Sequence, residues 1–152
     1  MSLRETITRE LKTAMKTRDT ERLSTLRLIN AAIKDREIAA RGDERVQELS
    51  DSDLMAVLTR MVKQRRASAR AYEEGARLDL AEKEMAEITV IESFLPRQLT
   101  DAELEAAVTE VIARTGASSV RDIGKVMGAL KAEYSGRMDF SKADVLIKSK
   151  LA

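Results

Sequence analysis

The sequence predicts an all-α protein, with an N-terminal helical domain of about four helices over residues 1–96 and a C-terminal three-helix domain over residues 97–152. Three observations carry this expectation. The chain is dominated by Ala, Leu, Lys, Arg and Glu, the strongest helix formers. It holds one proline in 152 residues, too little punctuation for an all-β or α/β chain of that length. Apolar residues recur at spacings of three and four nearly throughout, the period of a helix with one buried face.

Each element follows from that period and from its start and stop residues. Leu3, Ile7, Leu11 and Ala14 share one helical face. Asp19 or Thr20 then supplies an N-cap for a second helix, with Leu23, Leu26, Ile29 and Ile33 toward a core and an end near Gly42. Ser50 and Asp53 have capping-box spacing and open a third helix, apolar at Leu54, Val57, Leu58, Met61 and Val62 and running to Gly75. Asp79 and Glu82 have the same spacing and open a fourth, with Met85, Ile88, Ile91 and Leu95 as its stripe. Pro96 stops it, because the residue before a proline is pushed out of the α region. Thr100 and Glu103 form another capping box just beyond, which places the domain boundary at Leu95–Leu99. Three shorter helices follow. Their stripes are Leu104, Val108, Val111 and Ile112; Ile123, Val126, Met127 and Leu130; and Phe140, Ala143, Ile147 and Leu151.

Composition also limits the chemistry. There is no cysteine and no histidine, which removes thiol chemistry, the commonest general base and the commonest transition-metal ligand. No metal and no cofactor are expected. No phosphate-binding loop, dinucleotide fingerprint or nucleophile motif is present. The carboxylates fall at helix caps and opposite Lys or Arg, so structural use is expected of them. No run approaches the ~20 apolar residues that span a bilayer. The N-terminus is charged and amphipathic, unlike a secretory signal. These readings lead to the expectation of a cytoplasmic protein with no membrane partner. With a net charge of +1, any contact with nucleic acid has to rest on local patches.

Two constellations invite a functional reading. Arg60, Lys63, Arg65, Arg66 and Arg70 crowd the third helix, with Lys63 and Arg66 three apart and sharing a face. Either they pair with Asp79, Glu82, Glu84, Glu87 and Glu92 on the next helix, or they form a phosphate-contacting patch. The second constellation is Asp122-Ile123-Gly124-Lys125-Val126-Met127-Gly128-Ala129-Leu130-Lys131, followed by Gly136-Arg137-Met138-Asp139. Gly124 and Gly128 lie on one helical face, and each weakens a helix by about 1 kcal/mol relative to Ala. Close approach of another helix, or of a sugar–phosphate chain, would account for two of them. From Arg121 to Ala152 there are seven Lys or Arg and four Asp or Glu, so this end is locally basic. Aromatic residues make up only 3% of the chain, which disfavours single-strand recognition by stacking but not contacts to phosphates or RNA shape.

The stretch from Asp122 to Asp139 resembles the tail domain of the GatB/YqeY family, and the first domain resembles its YqeY-type half. The residues behind the second statement are Leu26-Arg27-Leu28-Ile29, Lys63-Gln64-Arg65-Arg66, Tyr72-Glu73-Glu74-Gly75-Ala76-Arg77, Glu84-Met85-Ala86-Glu87-Ile88 and Phe94-Leu95-Pro96-Arg97-Gln98-Leu99. In the larger relatives this tail is appended to the B subunit of tRNA-dependent amidotransferases and contacts tRNA, while a separate domain does the chemistry. The resemblance therefore implies a tRNA-binding or tRNA-associated accessory module. The partners it implies are tRNA and an amidotransferase or another tRNA-related protein. It brings Gly124, Lys125, Gly128, Lys131 and Arg137 forward as RNA contacts, beside Lys63 and Arg66 of the basic third helix. Carbon–nitrogen ligase activity with glutamine as amido donor attaches to the chain by family association only, because it has no room for the catalytic domain. Two alternatives stay open: a component assisting an amidotransferase in trans, and a helical protein-interaction module.

Overall fold

The computed structural model describes residues 2–42 and 48–152. Seven α-helices and one 3-10 turn make up the regular structure among them, in the order α1 (Leu3–Thr17), α2 (Thr20–Ala40), α3 (Asp51–Glu74), α4 (Leu78–Glu92), α5 (Asp101–Thr115), the 3-10 turn Val120–Asp122, α6 (Ile123–Tyr134) and α7 (Phe140–Leu151). The chain is all-α, as its composition and period imply. Its contacts divide it into two compact units, Met1–Pro96 and Arg97–Ala152.

In the first unit, Ile7 of α1, Leu26, Ile29 and Ile33 of α2, Leu54 and Leu58 of α3 and Ile91 of α4 are at most 2% exposed and form one core. Burying side chains of this size removes them from water at a gain of about 1.5–3 kcal/mol each. Phe94 and Leu95 pack against the same core after α4 has ended. Met85, expected in the α4 stripe, is 42% exposed. The buried residues of α4 are Ala81, Ile88 and Ile91, and at roughly 100° per residue Met85 falls at the edge of their arc, about 120° round from Ile91. In the second unit Val108, Val111, Val126, Leu130 and Ile147, from α5, α6 and α7, are fully buried together.

Helix starts follow the sequence in all but one case. Ser50 and Asp53 close a reciprocal capping box at α3, and Thr100 and Glu103 close another at α5. Asp19 caps α2 by accepting from the Arg22 amide at 3.2 Å. The box expected at Asp79 and Glu82 does not form. α4 begins two residues earlier, with Arg77 rather than Asp79 at its N-cap, and no side chain caps it. Asp79 instead sits in the first turn, where a carboxylate complements the helix dipole, and accepts from the Arg77 guanidinium at 3.2–3.3 Å.

The reason lies in how α3 ends. The Arg77 amide donates to the Tyr72 carbonyl at 2.8 Å and the Ala76 amide to the Glu73 carbonyl at 3.1 Å. These two bonds are a Schellman closure, which needs one left-handed residue. Gly75, at φ −86, does not supply it; Ala76, at φ 58, does. The reversal therefore finishes one residue later than the glycine suggests. α5 ends the same way, but there Gly116 takes the left-handed position at φ 69.

Candidate nucleic-acid interface

α6 is launched by Asp122. Its carboxylate accepts from the Ser118 amide at 3.0 Å and the Ser119 amide at 3.4 Å, closing the 3-10 turn in front of the helix. Those two N–H groups, Ser118 first, and the charge of Lys125 hold the Asp122 carboxyl below the ordinary carboxylate range. The aspartate at the head of the Asp122–Gly128 motif is thus committed to fixing where α6 starts.

One side of α6 faces the core. Val126 and Leu130 are fully buried, and Ile123, Met127, Ala129 and Tyr134 are partly buried against them. The other side holds Gly124, Lys125, Gly128 and Lys131, all exposed. At roughly 100° per residue, Gly124 and Gly128 lie about 40° apart, Lys131 about 20° to one side and Lys125 about 60° to the other. The two lysines therefore flank a strip of bare backbone. A Cβ built on Gly124 or Gly128 meets nothing within 4 Å, and neither residue has a left-handed φ. Among the described residues, no helix packs there and no turn requires the glycines.

Arg137 lies beyond the C-terminal end of α6, after the turn at Gly136, whose φ of 74 suits glycine. Its guanidinium carbon stands 5.7 Å from the centre of the Tyr134 ring, and its Nε donates to the Arg97 carbonyl at 3.3 Å. The neighbouring backbone is tied as well. The Leu99 amide donates to the Arg137 carbonyl at 2.8 Å, and the Gln98 side-chain amide donates to the Gly136 carbonyl.

The ion pairs of the second unit sort its cations. Nine Lys or Arg lie between residues 97 and 152. Arg97 pairs with Glu103, Arg114 with Glu110 and Glu133, Lys142 with Asp101, Lys148 with Asp144 and Lys150 with Glu105. The four that form no ion pair among the described residues are Arg121, Lys125, Lys131 and Arg137, all on α6 or at its two ends. Arg121, exposed in the turn before α6, was not singled out by the sequence, because nothing in a linear charge pattern marks a cation as unpaired.

Lys63 and Arg66 belong to the first unit, on α3. The Arg66 guanidinium meets the Glu92 carboxylate at 2.8 Å, and the neighbouring Arg65 meets Glu87 at 2.9 Å, with both side chains of that second pair about 15% exposed. For these two arginines the pairing reading holds, and α4 neutralises them. Lys63 is exposed. The seven expected contacts thus fall into two groups, five on or beside α6 and two on α3.

The family model of the YqeY-like proteins matches residues 4–151. The chain belongs to the YqeY-like family. Among curated proteins it is similar to "Altered inheritance of mitochondria protein 41, mitochondrial" of Lachancea thermotolerans, 30% identical over 68% of this chain and 54% of the relative. The protein of the same name in Candida glabrata is 37% identical over 59% of this chain and 48% of its own length. That of Eremothecium gossypii is 30% identical over 80% and 61%. The chain spans about half the length of the curated relatives it matches. These names overturn the expectation of a cytoplasmic location, since the relatives carrying them are mitochondrial proteins. That expectation rested on an N-terminus unlike a secretory signal and on the lack of an apolar span. No helix of the described residues is long and apolar enough to cross a membrane, a property that does not distinguish one aqueous compartment from another.

Proposed function

We propose that this chain is a tRNA-associated accessory module, without a catalytic centre of its own, whose α6 surface contacts the sugar–phosphate backbone of a folded RNA. The observation that carries the reading is the coincidence of two features on one helix. The cations of the second unit left without an ion pair gather on and around α6, and the strip between Lys125 and Lys131 is bare glycine backbone. Paired surface cations are partly neutralised at short range, so these four dominate the local positive field. Bare backbone lets a phosphodiester chain approach more closely than any side chain would allow. Contacts of this kind position an RNA by its phosphates and shape and need no aromatic platform. Membership in the YqeY-like family agrees with the reading, through the resemblance to the amidotransferase tail.

The test is a mobility shift of bulk deacylated tRNA at several salt concentrations, with wild type and the Lys125→Ala/Lys131→Ala double variant. Because the curated relatives are named as mitochondrial proteins, an organellar tRNA pool is the natural second probe. Each phosphate contact contributes roughly 0.7–0.9 to the slope of log affinity against log salt. The double variant is expected to bind more weakly and with a slope shallower by about 1.5. Equal affinity and equal slope for the two proteins would sink the assignment of this face. A role in trans beside a complete amidotransferase is a separate question, answered by whether the protein changes the amidation rate of a mischarged tRNA.

A further inference from the structure

We infer that Tyr134 and the Arg97 carbonyl pre-position Arg137 as a two-pronged fork for a single phosphodiester oxyanion, so that Tyr134 is a positioning residue for the proposed RNA surface. The inference rests on the RNA reading above and gives it a binding mode.

The Arg137 guanidinium is engaged twice from within its own unit. The Nε group donates to the Arg97 carbonyl at 3.3 Å. The guanidinium carbon stands 5.7 Å from the centre of the Tyr134 ring, within reach of a cation–π attraction. The two Nη groups make no hydrogen bond or ion pair with a described residue, although Arg137 is only partly exposed. A free arginine samples many rotamers, and ordering it on binding forfeits that freedom. Here most of the ordering is already done. What is left to offer is the paired Nη edge, whose geometry matches two oxygens of a phosphate.

Its place along α6 is consistent with one continuous track. Tyr134 is three residues after Lys131, on the adjoining part of the surface, and Arg137 is three residues further on. Lys131 and the fork would therefore meet neighbouring stretches of the same RNA backbone. The arrangement predicts that charge alone does not suffice at position 137. Lysine keeps the charge but has no Nε to give Arg97 while presenting a fork, and no plane to stack.

The experiment measures binding of bulk deacylated tRNA across a salt series, with melting of each protein followed in parallel. The variants are Arg137→Lys, Arg137→Ala, Tyr134→Phe and Tyr134→Leu. Arg137→Lys is expected to lose about tenfold in affinity, close to the loss for Arg137→Ala. Arg137→Ala should also flatten the salt slope by roughly 0.7–0.9, one phosphate. Tyr134→Phe keeps the ring face and should bind like wild type, whereas Tyr134→Leu should lose several-fold with its slope nearly unchanged. A merely structural Arg137 would give a lower melting temperature in both Arg137 variants with an unaltered slope. Wild-type affinity in Arg137→Lys overturns the fork. If the Arg137 and Tyr134 variants all bind normally while Lys125→Ala/Lys131→Ala does not, the fork is wrong and the RNA surface stands. If the wild-type protein does not retain tRNA at low salt, both are wrong.

Discussion

Replacing Gly124 and Gly128 with alanine should stabilise the second unit and weaken RNA binding in the same molecule. Both positions are helical and exposed, and an added Cβ touches nothing within 4 Å. The gain is then the helix-propensity difference between Ala and Gly, with no packing penalty to offset it. Gly128 is in the middle of α6 and should recover about 0.8–1 kcal/mol. Gly124 is in the first turn, where fewer hydrogen bonds depend on it, and should recover about 0.5 kcal/mol. For a unit of this size, 1 kcal/mol moves the melting temperature by roughly 4–8 °C, so the double variant should melt about 6–12 °C higher. Tyr134 is one of only two tyrosines in a chain without tryptophan, so its fluorescence in a Tyr72→Phe background reports on the second unit alone. Affinity for bulk tRNA, measured on the same samples, should fall several-fold, because two methyl groups now stand where a phosphodiester would lie. A lower melting temperature would refute the claim that this face is uncovered. A higher melting temperature with undiminished tRNA affinity would refute the claim that its bareness serves binding.

Four further outcomes follow from the geometry. Ala76→Gly should raise the stability of the first unit by about 0.5–1 kcal/mol in urea titration, because it removes a left-handed alanine at a Schellman closure. Glu87→Ala should lower it by about 2 kcal/mol by stranding the mostly buried Arg65, while Arg65→Met with Glu87→Met should recover most of that loss. Glu103 is held at about 2 by the Arg97 guanidinium and the Thr100 amide, below its ordinary 4.5, so on acidification the unfolded chain takes up the proton first. Its contribution is then complete above pH 4.5 and lost as pH falls toward 2, and the gap between wild type and Glu103→Gln in urea midpoint should close over that window. Trypsin should spare the Arg97–Gln98 bond of the native protein, whose flanking groups are tied to Glu103, Gly136 and Arg137, and should cut it faster in Glu103→Gln.

Features set by neighbours in sequence were legible without coordinates. The Ser50 and Thr100 boxes span three residues, and the apolar stripes repeat within one turn, so a linear pattern contains all that decides them. The misplaced start of α4 shows the limit of that information. Asp79 and Glu82 have box spacing, but the Schellman closure at Ala76 fixes the chain at Arg77, and a cap needs the right backbone as well as the right side chain. The third helix does end at Gly75, but the left-handed residue of its closure falls one position later, at Ala76. At the candidate interface, spacing put Gly124 and Gly128 on one face, but whether that face was covered depended on the packing of α5 and α7. The partners of Arg137 were equally hidden: the Arg97 carbonyl is 40 residues away. Tyr134 did have a local signal, an aromatic ring three residues from a cation on either side. That spacing acquires meaning only once the turn at Gly136 brings the guanidinium over the ring.

The two basic clusters show why counting charges along a sequence ranks surfaces poorly. The α3 cluster is the denser, with five cations in eleven residues. Yet Arg65 and Arg66 each face a glutamate of α4 at under 3 Å, and at distances beyond a few ångströms such a pair acts as a dipole whose field decays faster than that of a lone charge. The α6 cations are sparser and sit in a stretch with a surplus of only three. There the acidic residues are engaged elsewhere. Asp122 closes a turn, Asp139 caps α7 through the Ser141 amide, Asp144 holds Lys148 and Glu133 holds Arg114. Among the described residues none of these carboxylates forms an ion pair with Lys125, Lys131, Arg121 or Arg137. Two of the five α3 cations are thus paired with α4, whereas the four on and around α6 form no ion pair among the described residues. The caps and pairs that shape the second unit are also what leave its four cations open to an outside anion.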